Sequence, residues 1–264
     1  MLYGAIFGDI AGSIYEGNNI KTKNFELFDK DSFFTDDTVM TIAVGAALQS
    51  CAGNYDKLGD IAADAMRFLG RKYPYSGYGL SFIQWLFHDD AKPYNSYGNG
   101  AAMRISAAAY YADTMEKTKE LSYKITAVSH NHPEGIKGAE ATSAAIFLAL
   151  HGSSKEEIKK HIVQNYYPID FSLDEIRPNY KFNETCQDTV PQALEAFFES
   201  TDYEDAVRNA ISIGGDSDTL AAIAGGIAEA YYGVSEQVKS FTLNKLPDDL
   251  RHLLTDIESG YNKL

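Results

Sequence analysis

Two short acidic motifs in the chain share one grammar. Thr35-Asp36-Asp37-Thr38 follows Phe33-Phe34 and runs into the apolar-periodic stretch Val39 to Val44, while Asp216-Ser217-Asp218-Thr219 follows Gly214-Gly215 and runs into Leu220 to Ala224. In both, carboxylates and hydroxyls stand where a helix is about to begin. Helix capping accounts for part of this, because Ser, Thr and Asp accept hydrogen bonds from free backbone N–H groups and carboxylates suit the positive end of the helix dipole. One cap suffices per helix, however, and each start here has two carboxylates beside a hydroxyl, with apolar or glycine neighbours that make it read as buried. If the motifs meet, Asp36, Asp37, Asp216 and Asp218 share a small volume. Like charges about 4 Å apart repel by roughly 4 kcal/mol per pair at an effective dielectric near 20, so a cation is needed to hold them together. Oxygen donors with no nearby Cys favour Mg²⁺ or Mn²⁺ over Zn²⁺ or copper. A calcium-binding hand is excluded: such a loop counted from Asp216 needs Gly and Glu where this chain has Ala221 and Ile227.

Ser96-Tyr97-Gly98-Asn99-Gly100 is a third stretch with chemical potential. The glycines flanking Asn99 permit positive φ and close backbone approach, and the N–H groups of a following helix start offer an anion site. An ordinary turn ending in Asn-Gly explains the glycines but not the Ser and Tyr beside them. Arg104, one turn further on, is expected to support that loop or, more ordinarily, to anchor a neighbouring carboxylate. Cys186 and the pair Tyr231-Tyr232 are assigned to packing.

The elements that position these residues read as helices. Apolar residues recur at helical spacing over Val39 to Leu48, Leu58 to Leu69, Ser81 to Phe87, Ala101 to Ala112, Lys119 to Val128, Gly135 to Leu150, Val190 to Phe198, Tyr203 to Ile213 and Leu220 to Tyr231. Pro74, Pro93, Pro133, Pro168, Pro178 and Pro247 all fall between these runs, as a helix-breaking residue should. Gln164 to Thr189 carries aromatics without periodicity and reads as a loop. The first fifteen residues resemble a secretory signal in apolarity, but Asp9 interrupts them and no Lys or Arg precedes them. Gly4, Gly8 and Gly12 are spaced for close packing of a core helix instead.

Bulk properties bound the rest. A chain of 264 residues remains within the range of one hydrophobic core, and residues 1–264 are expected to form a single domain with no repeat or linker. No run approaches the roughly 20 uninterrupted apolar residues of a membrane helix. A net charge of −14, with the basic residues scattered, disfavours broad nucleic-acid binding. Cys51 and Cys186 are too few for a disulfide framework, which suits a reducing cytoplasm.

With these residues in place, the sequence resembles the ADP-ribosylglycohydrolase family, of the dinitrogenase reductase-activating glycohydrolase type. The resemblance is carried by segments in the family's order: Gly4 to Asp9 continuing to Tyr15-Glu16, Phe34 to Thr38, Tyr97 to Arg104, Ser129-His130, and Gly214 to Thr219. Any one of these is weak; the ordered combination is specific. It implies an all-α fold, a compact single-domain orthogonal helical bundle, with a binuclear Mg²⁺ or Mn²⁺ site whose ligands are Thr35, Asp36, Asp37, Asp216, Asp218 and Thr219. It implies a role near the metals for Glu16, which by itself reads as a solvent-facing loop carboxylate. It likewise places His130 near the substrate and turns the Ser96 to Gly100 loop into a diphosphate site.

The implied activity is hydrolysis of the glycosidic bond between ADP-ribose and an acceptor, either a protein side chain such as arginine or serine or a small conjugate. Its cation-like transition state is of the kind glycosidases stabilise. Glu16, Asp36 and Asp37 are the candidates for general base, with Glu16 and Asp36 ranked first. A non-catalytic ADP-ribose-binding or structural relative, and a two-metal nucleotide phosphohydrolase, are the competing readings. The expected rim of the cleft, Asn18 to Asp31, Lys72 to Gly79 and Gln164 to Thr189, carries no motif that names the acceptor.

Overall fold

Gly4, Gly8 and Gly12 set the first packing decision of the fold. In a computed structural model that describes residues 1–261, they form one face of helix α1 (Tyr3–Glu16), laid against α13 (Ser217–Tyr232). A Cβ at Gly8 would lie 2.1 Å from the carbonyl oxygen of Ala221, one at Gly4 would lie 2.4 Å from that of Gly225, and one at Gly12 would lie 2.5 Å from the Cα of Asp218. The two backbones therefore touch along most of their length, which is possible only without side chains at the seam. This seam brings Asp9 and the end of α1 beside the start of α13, where the second acidic motif sits.

The remaining elements are α2 (Asp36–Ser50), α3 (Leu58–Lys72), α4 (Leu80–Phe87), α5 (Gly100–Met103), α6 (Ala107–Tyr110), α7 (Met115–Thr126), α8 (Pro133–Leu150), α9 (Lys155–Asn165), α10 (Leu173–Ile176), α11 (Cys186–Phe198), α12 (Tyr203–Ser212), α14 (Glu236–Lys245) and α15 (Asp248–Tyr261). Among the described residues the only β pairing is an isolated antiparallel bridge between Gly98 and Thr185. The all-α expectation holds. One cluster of buried apolar side chains runs from Leu2, just ahead of the first helix, and Ile6 on it through Met40, Trp85, Leu121, Ile146, Phe197 and Ile223 to Ile257 on the last. No helix among the described residues is long and apolar enough to cross a membrane.

Two features depart from the periodicity reading. The run expected as one helix over Ala101 to Ala112 is two single turns, α5 and α6, broken at Arg104 to Ser106. Arg104 is wholly buried there, its guanidinium reaching inward to Ser129 and His130, so a polar side chain interrupts what reads as an apolar face. Helices α9, α14 and α15 were not marked by apolar runs, because each buries only two or three side chains: Ile158 and Ile162, Val238 and Thr242, or Leu250, Leu254 and Ile257. Their starts are legible in another way, as Ser154 and Glu157 form a complete capping box.

The α1–α13 seam carries a direct prediction. Gly8→Ala forces the two helices apart, and overpacking of this kind costs about 1–3 kcal/mol. The melting temperature should fall by several degrees, whereas Gly17→Ala, where an added Cβ meets nothing within 4 Å, should leave it unchanged.

Candidate metal and substrate site

The site is built on a carboxylate that the chemical motifs did not single out. Asp9 lies inside α1, fully buried, and both of its oxygens face the start of α2. Oδ1 accepts from the Thr35 hydroxyl at 2.7 Å, and Oδ2 accepts from the backbone N–H groups of Thr35 and Thr38, each at 3.0 Å, and from the Thr38 hydroxyl. Four donors from one turn thus converge on one carboxylate. Burial outweighs those bonds and pushes the Asp9 carboxyl up to about 6. The readable signal for Asp9 is a lone carboxylate in a helix otherwise made of glycine, alanine and apolar residues.

The turn so fixed presents Asp36 and Asp37. Thr35 caps α2, its hydroxyl accepting from the Asp37 N–H at 3.3 Å, and the Asp36 N–H donates to the Ser76 carbonyl at 2.7 Å. Across the site, the Thr219 hydroxyl donates to Asp37 Oδ1 at 3.3 Å, joining the two acidic motifs over 182 residues of chain. Asp37 Oδ2 is buried without a hydrogen-bond partner among the described residues. Gly214 and Gly215, with φ of 69° and 78°, make the turn into α13. Asn19 brackets that turn, accepting from the Gly215 N–H at 2.7 Å and donating to the Gly215 carbonyl at 2.9 Å. Glu16, just before Asn19 at the end of α1, is thereby held over the second motif: one oxygen each of Glu16, Asp216 and Asp218 lie within 4.8 Å of one another.

Electrostatics follow from this crowding. Burial first, then the neighbouring carboxylates, raise Asp36, Asp37 and Asp218 well above the ordinary range. Burial also raises Asp216, although hydrogen bonds from Asp218, Asn99 and Thr219 oppose it. Glu16 is raised by burial and then by Asp216 and Asp9, despite reaching solvent. Carboxylates kept this close, one with an orphaned buried oxygen, fit a divalent cation with oxygen ligands, and among the described residues no Cys or His contributes to the cluster. The residues expected to ligate therefore line one cleft, and Glu16, the last residue of α1, stands beside the second motif.

Beside the cluster opens a cleft of about 1160 Å³, ample for a dinucleotide-sized ligand. The Ser96 to Gly100 loop and His130 form one wall. The loop is stiffened from behind: the Asn99 N–H donates to the Glu184 carbonyl at 2.7 Å, the Gly98 N–H to Ser96 Oγ at 3.1 Å, and the Cys186 N–H to the Tyr97 carbonyl at 2.9 Å. The Asn99 side chain donates to Asp216 Oδ2 at 2.7 Å, coupling loop and acidic cluster directly. Because α5 is only a single turn, the dipole of a long helix does not back this loop, contrary to what the apolar run suggested. Gly100 instead makes room for His130, whose Nε2 would sit 3.2 Å from a Cβ at that position.

The cleft rim was not legible as a motif. Exposed Phe33, Tyr75, Leu80, Tyr97 and Phe182 line it, an apolar fringe around an acidic floor. Arg104, for which a carboxylate partner is the more ordinary expectation, has none hydrogen-bonded to it among the described residues: Nη2 bonds to Ser129 and His130, Nε and Nη1 are buried without a partner, and the guanidinium lies 5.3 Å from the Phe82 ring centre. Cys186 is buried and donates to the Gly98 carbonyl, and burial raises its thiol, consistent with packing. Tyr232 donates to the Ser200 carbonyl and stacks edge-on with Tyr231 against Phe197, also a packing role.

Comparison with known proteins converges on one group. A family model described as ADP-ribosylglycohydrolase matches residues 1–263. ADP-ribosylhydrolase ARH3 of Homo sapiens is 23% identical over 91% of this chain and 86% of its own length. The ADP-ribosyl-[dinitrogen reductase] glycohydrolase of Rhodospirillum rubrum is 28% identical over 82% and 74%. The ADP-ribosylarginine hydrolase Tri1 of Pseudomonas putida (strain GB-1) is 29% identical over 52% of this chain, which spans only 39% of Tri1. Among solved structures, one titled ADP-ribosylglycohydrolase-related protein complex superposes with a TM-score of 0.74 at 20% identity, covering 98% of this chain and 96% of that one.

Proposed function

Because the chain belongs to the ADP-ribosylglycohydrolase family, we propose that it hydrolyses the bond between the anomeric carbon of ADP-ribose and an acceptor, releasing ADP-ribose. The observation that carries this reading is the meeting of the two acidic motifs at the floor of a cleft through Thr219 and Asp37, with Glu16 beside Asp216 and Asp218 of the second motif. Thr35, Asp36, Asp37, Asp216, Asp218 and Thr219 would hold two divalent cations, Mg²⁺ or Mn²⁺. When bound, such cations supply orientation of the ribose hydroxyls and a water of increased acidity.

The chain's own residues have separable tasks. Glu16 reaches solvent at the mouth of the cluster and has a raised carboxyl, which suits it to take a proton from a water aimed at the anomeric carbon. Asp36, half-buried on the cleft wall, is the other candidate base, and Asp37 is buried deeper as a ligand. The Ser96 to Gly100 loop and His130 would receive the diphosphate, and Asn99 would keep that subsite in register with the cluster through Asp216. The apolar rim around Phe33, Tyr75 and Leu80 would face the acceptor, which is an ADP-ribosylated protein side chain or a small conjugate.

The test is turnover with Mg²⁺ or Mn²⁺ on substrates that differ only in linkage: arginine-linked, serine-linked and O-acetyl ADP-ribose. Release of ADP-ribose from at least one is expected. Failure on all of them sinks the proposal, and release of inorganic phosphate with the glycosidic bond intact would select phosphohydrolase chemistry instead.

A further inference from the structure

His130 is one of the most enclosed polar side chains of the cleft wall, 5% exposed, and its two ring nitrogens face different worlds. Nδ1 lies 2.9 Å from Ser129 Oγ and 3.3 Å from Arg104 Nη2, and the same Arg104 nitrogen donates to Ser129 Oγ at 2.7 Å. Nε2 points the other way, toward Gly98 and Gly100, and no hydrogen bond among the described residues uses it. A guanidinium carries only donors and accepts nothing. An Nδ1–H would therefore meet an Arg104 N–H head-on, and it would leave the Ser129 hydroxyl accepting twice with its own proton unplaced. If Nδ1 is bare, the three facing groups agree: Arg104 Nη2 donates to Ser129 Oγ, the Ser129 hydroxyl donates to Nδ1, and the second Nη2 proton is directed at the same lone pair, while Arg104 Nε and Nη1 stay buried without a hydrogen-bond partner among the described residues.

We propose that Arg104 is a positioning residue that holds His130 as the neutral tautomer protonated on Nε2, so that the ring presents a fixed N–H donor to a phosphate group in the cleft. The tautomer follows from the hydrogen bonds alone, whereas its use toward phosphate rests on the reading of the Ser96 to Gly100 loop given above. Two further observations agree. Arg104 is wholly enclosed with no carboxylate hydrogen-bonded to it among the described residues, and Nη2, which faces this pair, is the one guanidinium nitrogen that finds partners there. Burial and the adjacent Arg104 also hold His130 well below the usual imidazole range, which keeps it uncharged near neutrality. His130 is then a donor of constant charge and not a proton shuttle, leaving acid–base work to the carboxylates across the cleft.

Nitrogen spectra of ¹⁵N-histidine-labelled protein at neutral pH test this, with the His130 signals identified by their loss in His130→Gln. The expected result is an unprotonated Nδ1 and a protonated Nε2, with ADP-ribose shifting the Nε2 signal. In Arg104→Met the two tautomers should mix and the Kd for ADP-ribose should rise about two- to threefold, the inverse of the fraction still protonated on Nε2; Arg104→Lys should recover part of both. A protonated Nδ1 or an imidazolium in the unaltered protein overturns the proposal, as does an unchanged tautomer in folded Arg104→Met. Should that variant fail to fold, the spectrum of the unaltered protein decides. A bare Nδ1 with an Nε2 signal indifferent to ADP-ribose upholds the tautomer and refutes the diphosphate reading of the loop.

Discussion

Asp218→Asn should lose ADP-ribose hydrolysis by about 10²–10³-fold, the scale on which removal of one preorganised electrostatic contact at a reacting centre is felt, while the cation-free protein becomes more stable. The two effects have one cause. Asp218 is buried at the start of α13, beside Asp216 and across from Asp37, and its carboxyl is forced well above its ordinary range by burial and by those neighbours. Without a cation, the folded state bears the cost of the crowding, as repulsion or as a proton taken up against the solution pH, and the amide, neutral from the outset, removes that cost while keeping the shape of the side chain. A gain near 1 kcal/mol corresponds to a rise of roughly 2–4 °C in melting temperature for a chain of this size class. With Mg²⁺ or Mn²⁺ the order should reverse, because binding to the native state alone stabilises it by RT ln(1 + [L]/Kd) and the variant binds weakly. Melting curves in chelator and in excess cation, run beside the hydrolysis assay, check both signs. A variant that keeps full activity and full stabilisation by cation would show that the acidic cluster is not the working site.

How far the site was readable depended on whether its residues signal locally. Asp36, Asp37, Asp216 and Asp218 stand out because each pair opens an apolar-periodic helix, and the contact between Thr219 and Asp37 supplies the meeting of the two motifs on which the need for a cation is conditional. The glycine seam was legible for a similar reason: three small residues at helical spacing imply a close neighbour, although not that α13 is that neighbour. The partners of Arg104 are not legible locally: its position suggests either support of the loop or a carboxylate, whereas Ser129 and His130 arrive from the turn after α7. The rim residues Tyr75, Leu80 and Phe182 have no pattern because Tyr75 and Phe182 lie in irregular stretches and Leu80 is the exposed first residue of α4, and only the packing of α4 and of the segment before α11 assembles them around one opening. Helices such as α14 escaped periodicity because few of their side chains are buried, so little apolar signal exists to detect.

Asp9 offers the sharpest separation of structure from function, because its two conservative replacements should fail differently. In Asp9→Ala the N–H groups of Thr35 and Thr38 and both hydroxyls lose their acceptor inside the core. Each buried group left unsatisfied costs about 1–3 kcal/mol, enough in sum to threaten a domain of ordinary stability. Asp9→Asn is milder. Its carbonyl can take the position of Oδ2 and keep the bonds from the backbone of Thr35 and Thr38 and from the Thr38 hydroxyl, and no buried charge remains to be desolvated. The change falls on Thr35. At present that hydroxyl donates to Asp9 Oδ1 and accepts from the Asp37 N–H, which leaves one lone pair for a cation. An amide NH₂ in place of Oδ1 must donate to Thr35, so both lone pairs are then consumed and the hydroxyl proton is turned toward the cluster. Asp9→Asn should therefore fold with a melting temperature within a few degrees of the unaltered protein, yet bind Mg²⁺ or Mn²⁺ about 10–100-fold more weakly, the usual cost of disturbing a residue that orients a metal ligand. Calorimetric titration of the cation beside thermal melting distinguishes the two. Equal cation affinity in the Asn variant would remove Thr35 from the ligand set, and a collapse of stability equal to that of the Ala variant would reduce Asp9 to a scaffold for the α2 turn.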